Sequence, residues 1–388
     1  MITQSSIHRK RIAAALVLAV VCGMAIAINF DSEGQPAPMV PIVVDHESST
    51  TLDTLLATIA DERVVYVGET HTAYHDHLLQ LEVLKGMADQ PGKLALGVEW
   101  IQARFQPVVD RYLAGGISEA EFLKGIEYYE RWRFDYRLYR PLVEYARANG
   151  IPIVALNAAK ELTSAVSRLG IDELPDDLRA ELPDGYDFSD KRYEESLRQM
   201  FRMHPVGGEG QFERFYQVQL TWDETMAQNV ADYLAAGDDH RMLVLAGKGH
   251  VSGRSGIPNR VTRRIGLKGV TVASFDPGSR LFNEADYMVL ANEQRLPAAG
   301  IMRVMLEERD GAVVISDFGA ESPAEAAGVK KGDSIVAING EPVSSFIDVK
   351  VLMLDQLPGN EIDLTVQRER VFGGTKNDTY RFALAAAN

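Results

Sequence analysis

Short apolar runs recur along this chain, and segments with helical spacing of apolar residues lie between them. The first run, VVYV at 64–67, is followed by such a segment at 73–88. Later runs alternate with helical segments at 139–149 and 212–236. Strands that alternate with helices are typical of a mainly parallel sheet with helices on its faces. The sequence therefore predicts an α/β fold, with strands at 64–67, 94–98, 151–156, 242–246 and 270–274.

Polar residues follow four of these runs at the point where each run ends. Glu69 and His71 come after the first run and Glu99 after the second. Asn157 follows the third run, and His250 follows the fourth. The carboxyl ends of parallel strands meet at one edge of a sheet, where open sheets bind their ligands. We therefore expect these side chains to converge on one cleft, although they are far apart in the chain.

The stretch GETHTAYHDH at 68–77 holds three of the eight histidines of the chain. His71 and His75 are four residues apart, so they can share a helix face, whereas His77 points elsewhere. The spacing suits a metal pair, but Thr72 stands where hydrolytic zinc helices place a glutamate, which argues against a thermolysin-like zinc protease. A metal site, a hydrolytic acid/base centre and a cofactor site all stay open. The candidate metal ligands are His71, Glu99 and His250.

Two further segments carry candidate functional residues. Residues 128–141, YYERWRFDYRLYRP, interleave four arginines with six aromatic residues. Such a patch could hold a flat anionic ligand by stacking and carboxylate pairing, and the alternative is a helix that packs by its aromatic residues. In QLTWDETMA at 219–227, Asp223 could orient a histidine, while Trp222 and Met226 are expected in the core.

The net charge and the N-terminal residues bear on the kind of partner and on the cellular location of the protein. The 388 residues carry a formal net charge of −15, which argues against nucleic acid as a partner because its binding needs a basic surface. HRKR at 8–11 precedes an apolar run at 12–28, which predicts a signal peptide or membrane anchor over residues 1–30. Residues 31–50 are expected to form a linker. The body is then expected in the periplasm or on the outer face of the cytoplasmic membrane.

A small β-rich unit with one helix is predicted from about residue 295 to the end of the chain. Its segment SPAEAAGVKKGDSIVAINGEPV closely resembles PDZ domains of the bacterial type. The resemblance implies a domain that adds a protein C-terminus to a sheet edge. A domain used for packing or for homodimer formation is the alternative. The peptide-binding residues implied by the resemblance are Ala299, Gly300, Ile301 and Met302, opposite a helix at about 345–357.

Five blocks between residues 51 and 292 carry a second resemblance. They are YVGETHTAYHDHLLQLEVLKGM, LALGVEWIQARFQPVVDRYLAG, YRPLVEYARANGIPIVALNAAKEL, QLTWDETMAQNVADYL and VLAGKGHVSGRSGIPNRV, in this order. Together they resemble the ChaN-like family, the haem-binding-uptake branch of the superfamily that includes Tiki proteases and erythromycin esterases. The resemblance implies an α/β sandwich in an exported, often membrane-attached protein that is linked to haem binding and iron acquisition.

The resemblance also implies roles for individual residues. Hydrolases of the wider superfamily imply a catalytic set of Glu69, His71, Glu99 and His250. Haem makes other demands, namely an aromatic pocket, an axial histidine or tyrosine, and cations for the propionates. The candidate cofactor contacts are Tyr74, His75, Arg133, Tyr136, Arg137, Arg140 and Asn157.

Three hypotheses follow from the sequence. The first is an exported, membrane-associated protein that binds haem or an iron-containing ligand, with a PDZ domain for protein C-termini, in iron acquisition or envelope homeostasis. The second is a hydrolase or metalloprotease that uses the histidine and glutamate cleft, with a divalent metal as a further cofactor and substrates delivered by the PDZ domain. The third is a scaffold in which only the PDZ domain binds a partner.

Overall fold

The structure of this protein is a computed structural model that describes residues 42–44, 49–202, 209–275, 285–291, 293–369 and 373–387. The predicted signal peptide or anchor at 1–30 lies outside these residues, as does most of the predicted linker. Across the described ranges, no helix is both long enough and apolar enough to cross a membrane.

An eight-stranded sheet forms the centre of the first domain. Its strands are β1 (Ile42–Val44), β2 (Ser49–Thr51), β3 (Val64–Glu69), β4 (Lys93–Gln102), β5 (Ile153–Asn157), β6 (His240–Gly247), β7 (Val270–Ser274) and β8 (Tyr287–Leu290). They lie in the order β2-β1-β8-β7-β3-β6-β4-β5. The six strands from β8 to β5 are parallel, and β1 and β2 are antiparallel additions at one edge.

Helices cover both faces of this sheet, which confirms the predicted fold class. They are α1 (Leu52–Ile59), α2 (Tyr74–Ala88), α3 (Gln106–Leu113), α4 (Glu119–Gly125), α5 (Tyr128–Arg131), α6 (Arg140–Ala148), α7 (Lys160–Leu169), α8 (Asp176–Arg179), α9 (Lys191–Arg202), α10 (Glu209–Ala235), α11 (Lys248–Val251) and α12 (Ile257–Ile265). Successive strand residues point to opposite faces, so each apolar run contributes core residues to both helix layers. In β3, Val65 and Val67 face α2 and α6, whereas Val64 and Tyr66 face α10 and α12.

The structure differs from the prediction of a linker over residues 31–50. Ile42–Val44 and Ser49–Thr51 pair with each other, and the first of these strands also pairs with β8. Three β-branched residues in a row favour an extended conformation. Val43 is fully buried, so this segment gains apolar burial that a free linker would lack.

The C-terminal domain is antiparallel and β-rich, as predicted. Its strands are β9 (Gly300–Ile301), β10 (Val304–Arg309), β11 (Ala312–Phe318), β12 (Ser334–Ile338), β13 (Glu341–Pro342), β14 (Glu361–Glu369), β15 (Thr375–Ala383) and β16 (Ala385–Ala386), with helices α13 (Pro323–Ala326) and α14 (Phe346–Leu352). The main sheet has the order β10-β11-β12-β14-β15. Asn339 and Gly340 both have positive φ in the tight turn between β12 and β13, where such turns require it.

Helix α14 joins the two domains because it is apolar on two faces. Val349 packs into the core of the C-terminal domain. Ile347, together with Leu354 just after the helix, belongs to the core of the first domain. Two ion pairs flank this joint, Lys124 with Asp348 and Arg140 with Asp355. The C-terminal domain is therefore held by shared core packing as well as by charge.

We expect Ile347→Ala to lower the free energy of unfolding by about 2–5 kcal/mol, because it removes a buried side chain and leaves a cavity at the joint. Chemical denaturation followed by tryptophan emission measures this, since all three tryptophans lie in the first domain. Leu357→Ala is the control, because Leu357 is exposed, and we expect a change within about 0.5 kcal/mol. An unchanged transition in Ile347→Ala would show that α14 does not support the first domain.

Candidate functional site

A cavity of about 360 Å³ opens at the carboxyl edge of the parallel strands. Strand β4 contributes Glu99, β5 ends at Asn157, and α11 carries His250 directly after β6. His71 reaches the cavity from the turn after β3. The structure therefore brings together four of the five side chains that follow the predicted strands, and Glu69 lies behind His71. The lining consists of His71, Glu99, Trp100, Gln102, Arg131, Trp132, Asn157, Ala158, Lys160, Thr163, Trp222 and His250.

His71 is held in place by the buried carboxylate of Glu69. Its Nδ1 lies 2.9 Å from Glu69 Oε1, and a carboxylate only accepts, so Nδ1 carries the proton and Nε2 is left for the cavity. Gln80 Nε2 donates to the other Glu69 oxygen at 2.9 Å, and the Tyr139 hydroxyl donates to Oε1 at 3.1 Å. The imidazole packs against Trp132 and Phe134, each with ring centres 4.8 Å away.

The charges around this pair shift both pKa values in opposite directions. Burial alone would raise the pKa of Glu69, but the hydrogen bond with His71 and the charges of His77 and His71 outweigh it, so the pKa is lowered. Burial alone would lower the pKa of His71, yet the hydrogen bond with Glu69 and the charge of Glu99 outweigh it, so this pKa is raised. Glu69 therefore stays ionised and fixes the tautomer of His71.

His250 belongs to a second pair, with the carboxylate of Asp223. Its Nδ1 lies 2.6 Å from Asp223 Oδ1, and the other Asp223 oxygen accepts from the Tyr193 hydroxyl at 2.5 Å. His250 Nε2 is 3.4 Å from Glu99 Oε1. Burial alone would lower the pKa of His250, but the charges of Asp223 and Glu99 outweigh it and raise this pKa to about 9. At neutral pH His250 is therefore an imidazolium.

Glu99 lines the same cavity as the two histidines and is fixed by the backbone of β6. The amide of Gly247 donates to Glu99 Oε2 at 2.6 Å. A Cβ at position 247 would come within 2.9 Å of His71 Cε1, so only glycine lets the imidazole lie this close to the strand end. The apposition of His71, Glu99 and His250 thus depends on a glycine that strand periodicity alone does not indicate.

Aromatic residues form much of the cavity wall. Trp100, Trp132 and Trp222 all line it, and these are the only three tryptophans in the sequence. Trp222 was expected in the core, and it packs against the core while also lining this cavity. Strand alternation would not have placed Trp100 here, because it directly follows Glu99 and neighbouring strand residues point to opposite faces. Lys160, which was not predicted, and Arg131, one of the four arginines of the predicted patch, also line the cavity.

Only part of the segment 128–141 reaches the cavity, because Arg131 and Trp132 line it and the other three arginines do not. Tyr136 is fully buried beside Tyr128, so it is a core residue. Arg137 bonds Asp135 and the carbonyl of Pro297, and Arg140 pairs with Glu119 and the C-terminal domain. Arg133 has an exposed side chain at positive φ and donates to the carbonyl of Glu130. Arg133, Tyr136, Arg137 and Arg140 are all absent from the cavity lining.

The predicted helix face shared by His71 and His75 is also absent. Helix α2 begins at Tyr74, so His71 lies in the preceding turn. His75 Nε2 is instead 3.3 Å from Asp76, and neither Tyr74 nor His75 lines the cavity. Where the structure describes the chain, no group of three or more histidine, cysteine or acidic side chains is arranged to hold a metal ion. The predicted metal set of His71, Glu99 and His250 therefore has no support.

The predicted peptide-binding residues are already engaged by the chain itself. Gly300 and Ile301 pair with Ala386 and Ala385 of β16. The amide of Gly300 donates to the carbonyl of Gln356 at 2.8 Å, and the carbonyl of Ala299 accepts from Ala387 at 3.0 Å. Met302 is buried, and its carbonyl accepts from the Ser322 hydroxyl. Within the described strands, β10 ends the main sheet, with its second edge unpaired.

Comparison with known families confirms both resemblances. The family model described as "Haem-binding uptake, Tiki superfamily, ChaN" matches residues 55–261, and a PDZ-domain model matches residues 300–379. Among solved structures, ChaN of Campylobacter jejuni, whose structure is described as showing cofacial haem binding, has a TM-score of 0.53 at 16% identity. The similarity covers 65% of this chain and 97% of that chain, and at this identity it shows the fold alone.

Two curated proteins illustrate what the chain is similar to over longer and shorter stretches. The Arabidopsis thaliana protein RETICULATA-RELATED 5, chloroplastic, is 23% identical over 330 residues, which are 80% of this chain and 44% of that protein. A Rhizobium meliloti protein named probable periplasmic serine endoprotease DegP-like is 40% identical over 63 residues, 16% of this chain and 12% of that protein. The chain thus spans less than half the length of these curated relatives.

We expect Asp223→Asn to lower the pKa of His250 from about 9 towards its ordinary value near 6.5, because it removes the nearest negative charge. A raised folded-state pKa stabilises the fold below about pH 6.5, and this contribution is lost as the pH rises through about 9. NMR titration of the His250 ring measures the pKa directly, with Asp363→Asn in the C-terminal domain as the control. An unchanged His250 titration in Asp223→Asn would contradict the assigned pairing.

Proposed function

The chain belongs to the ChaN family of the Tiki superfamily, and on that premise we propose that it binds haem in the cavity between His71 and His250. One observation carries the proposal. The imidazole of His71 is oriented by a buried carboxylate, and its Nε2 faces a cavity walled by the three tryptophans of the chain.

The residues present meet the demands of this cofactor. A haem iron takes an axial nitrogen from a histidine, and a carboxylate on the other ring nitrogen fixes the tautomer that such a ligand needs. Glu69 and His71 supply that arrangement. Trp100, Trp132 and Trp222 supply flat apolar surface for a macrocycle. When bound, haem would supply a redox-active iron, and the role of the chain would be to capture and hold it.

The wider role that we propose is haem or iron handling outside the cytoplasm, in iron acquisition or envelope homeostasis. The basic and apolar N-terminal residues favour export and membrane attachment. The PDZ domain is related to a protein that is named a periplasmic endoprotease, which agrees with this location. Because Ala299–Met302 are engaged within the chain, we propose the open edge of β10 as the place where a protein partner would add.

A haemin titration of the full chain tests this proposal. We expect a saturable, stoichiometric shift of the Soret band in the wild type, and an affinity at least about tenfold weaker in His71→Ala, because the imidazole that would hold the iron is lost. His240→Ala is the matched control, since His240 begins β6 at the opposite edge of the sheet. A weak, non-saturating spectrum in the wild type would refute haem binding as the function.

Hydrolysis is a second candidate, and one specific observation favours it. Two histidines, each paired with a carboxylate, line the same cavity as Glu99. His71 Nε2 could take a proton from a water molecule, while the protonated His250 could give one to a leaving group. Glu99 would then stabilise His250 in its charged state through the 3.4 Å contact.

If the protein is a hydrolase, we expect His71→Ala and His250→Ala each to lower turnover by about 100-fold or more, since each removes one proton-transfer group. Nitrophenyl esters and a fluorogenic casein serve as probes, with circular dichroism to verify folding. His240→Ala again serves as the control. Turnover that survives in both cavity variants would assign the activity to a contaminant and dismiss this candidate.

A further inference from the structure

An aromatic cluster connects the wall of the cavity with the interior of the first domain. Trp100 and Trp132 line the cavity, and their ring centres lie 4.6 and 6.2 Å from that of Tyr139. Tyr128 lies behind Tyr139, with the ring centres 6.4 Å apart, and Tyr136 is 5.2 Å from Tyr128. These are the distances of packed aromatic pairs. Because electron transfer between rings slows steeply with distance, rings in such contact can exchange an electron.

The three tyrosines of the aromatic cluster differ in what their hydroxyls face. All three are buried. The hydroxyl of Tyr139 donates to Glu69 Oε1 at 3.1 Å, whereas those of Tyr128 and Tyr136 have no hydrogen-bond partner in the described part of the chain. A tyrosine that loses an electron becomes a strong acid and has to release its hydroxyl proton. Among the three, only Tyr139 has a carboxylate that can accept it.

Glu69 is suited to accept this proton. Burial alone would raise its pKa, but the hydrogen bond with His71 and the charge of His77 outweigh it, so Glu69 is ionised at neutral pH. Burial and the charge of Glu69 raise the pKa of Tyr139, which keeps its hydroxyl protonated. A neutral phenol thus faces a carboxylate base, so its electron and its proton have separate acceptors.

We propose that Tyr139 is a redox-active tyrosine that gives one electron to an oxidised centre in the cavity. The indole of Trp100 or Trp132 passes one electron to that centre and receives one from Tyr139. The O–H bond of Tyr139 breaks, its proton moves to Glu69, and a neutral tyrosyl radical remains. The centre is thereby reduced by one electron and Tyr139 is oxidised by one. The oxidant is of the class that haem forms with a peroxide, so this inference rests on the proposed haem function.

The consequence is protection of part of the cavity wall. An oxidised indole that is not reduced again reacts with water or dioxygen and is permanently altered. Trp100 and Trp132 can be restored by Tyr139. The ring of Trp222 lies 6.4 Å from that of His250 and, among the described residues, contacts no tyrosine ring. The cavity therefore has two tryptophans with this protection and one without it.

Electron paramagnetic resonance of the haemin-loaded full chain, mixed with hydrogen peroxide and frozen, tests the proposal. We expect a tyrosyl radical signal in the wild type that narrows when the chain is made with ring-deuterated tyrosine. Tyr139→Phe should lose this signal, because the hydroxyl is gone while the ring remains. Tyr128→Phe and Tyr136→Phe are the matched controls, and both should keep it, since neither hydroxyl has a proton acceptor.

Mass spectrometry of the same samples measures oxygen addition at each tryptophan. We expect Tyr139→Phe to increase the oxidation of Trp100 and Trp132 and to leave that of Trp222 unchanged. A Soret titration of each variant verifies that haemin is bound. Bound haemin without a tyrosyl signal, or with a signal that survives in Tyr139→Phe, would overturn the role of Tyr139 and leave the haem function standing. Failure of the wild type to bind haemin would overturn both.

Discussion

The buried carboxylate of Glu69 is the interaction on which the arrangement of the site depends. A carboxylate removed from water is unfavourable unless donors surround it. Here the donors come from His71, Gln80 and Tyr139, and His77 Nδ1 lies 3.1 Å away. These partners belong to the turn after β3, to α2 and to the segment before α6. One charge at a strand end therefore fixes three pieces of chain around the cavity.

The main architecture could be predicted from the sequence because it rests on local patterns. Apolar runs that fill both faces of the sheet are nearly continuous, and their carboxyl ends are marked by polar residues. In a parallel sheet these ends must share an edge, whichever strands turn out to be neighbours. This is why His71, Glu99, Asn157 and His250 could be grouped before their distances were known.

The segment 128–141 could not be predicted, since its conformation depends on residues with no local signal. Glu127 and Arg133 both adopt positive φ, which breaks the segment into a short helix and a turn. Glycine would have indicated such breaks, but glutamate and arginine do not. The break turns Trp132 and Phe134 towards His71 and leaves Arg137 and Arg140 to bind elsewhere. A sequence shows where an arginine is, but the tertiary packing determines which group the arginine binds.

The two apolar faces of α14 limit how the C-terminal domain could be exchanged for another domain. A peptide-binding domain joined through a linker can be exchanged for another with little loss. Here Ile347 and Leu354 belong to one core, and Val349 belongs to the other. An excised C-terminal domain would expose the apolar face of α14 that contacts the first domain, and it would tend to self-associate. A replacement domain would fit only if its helix carried the same apolar face. The two domains are thus packed as one unit rather than as two interchangeable modules.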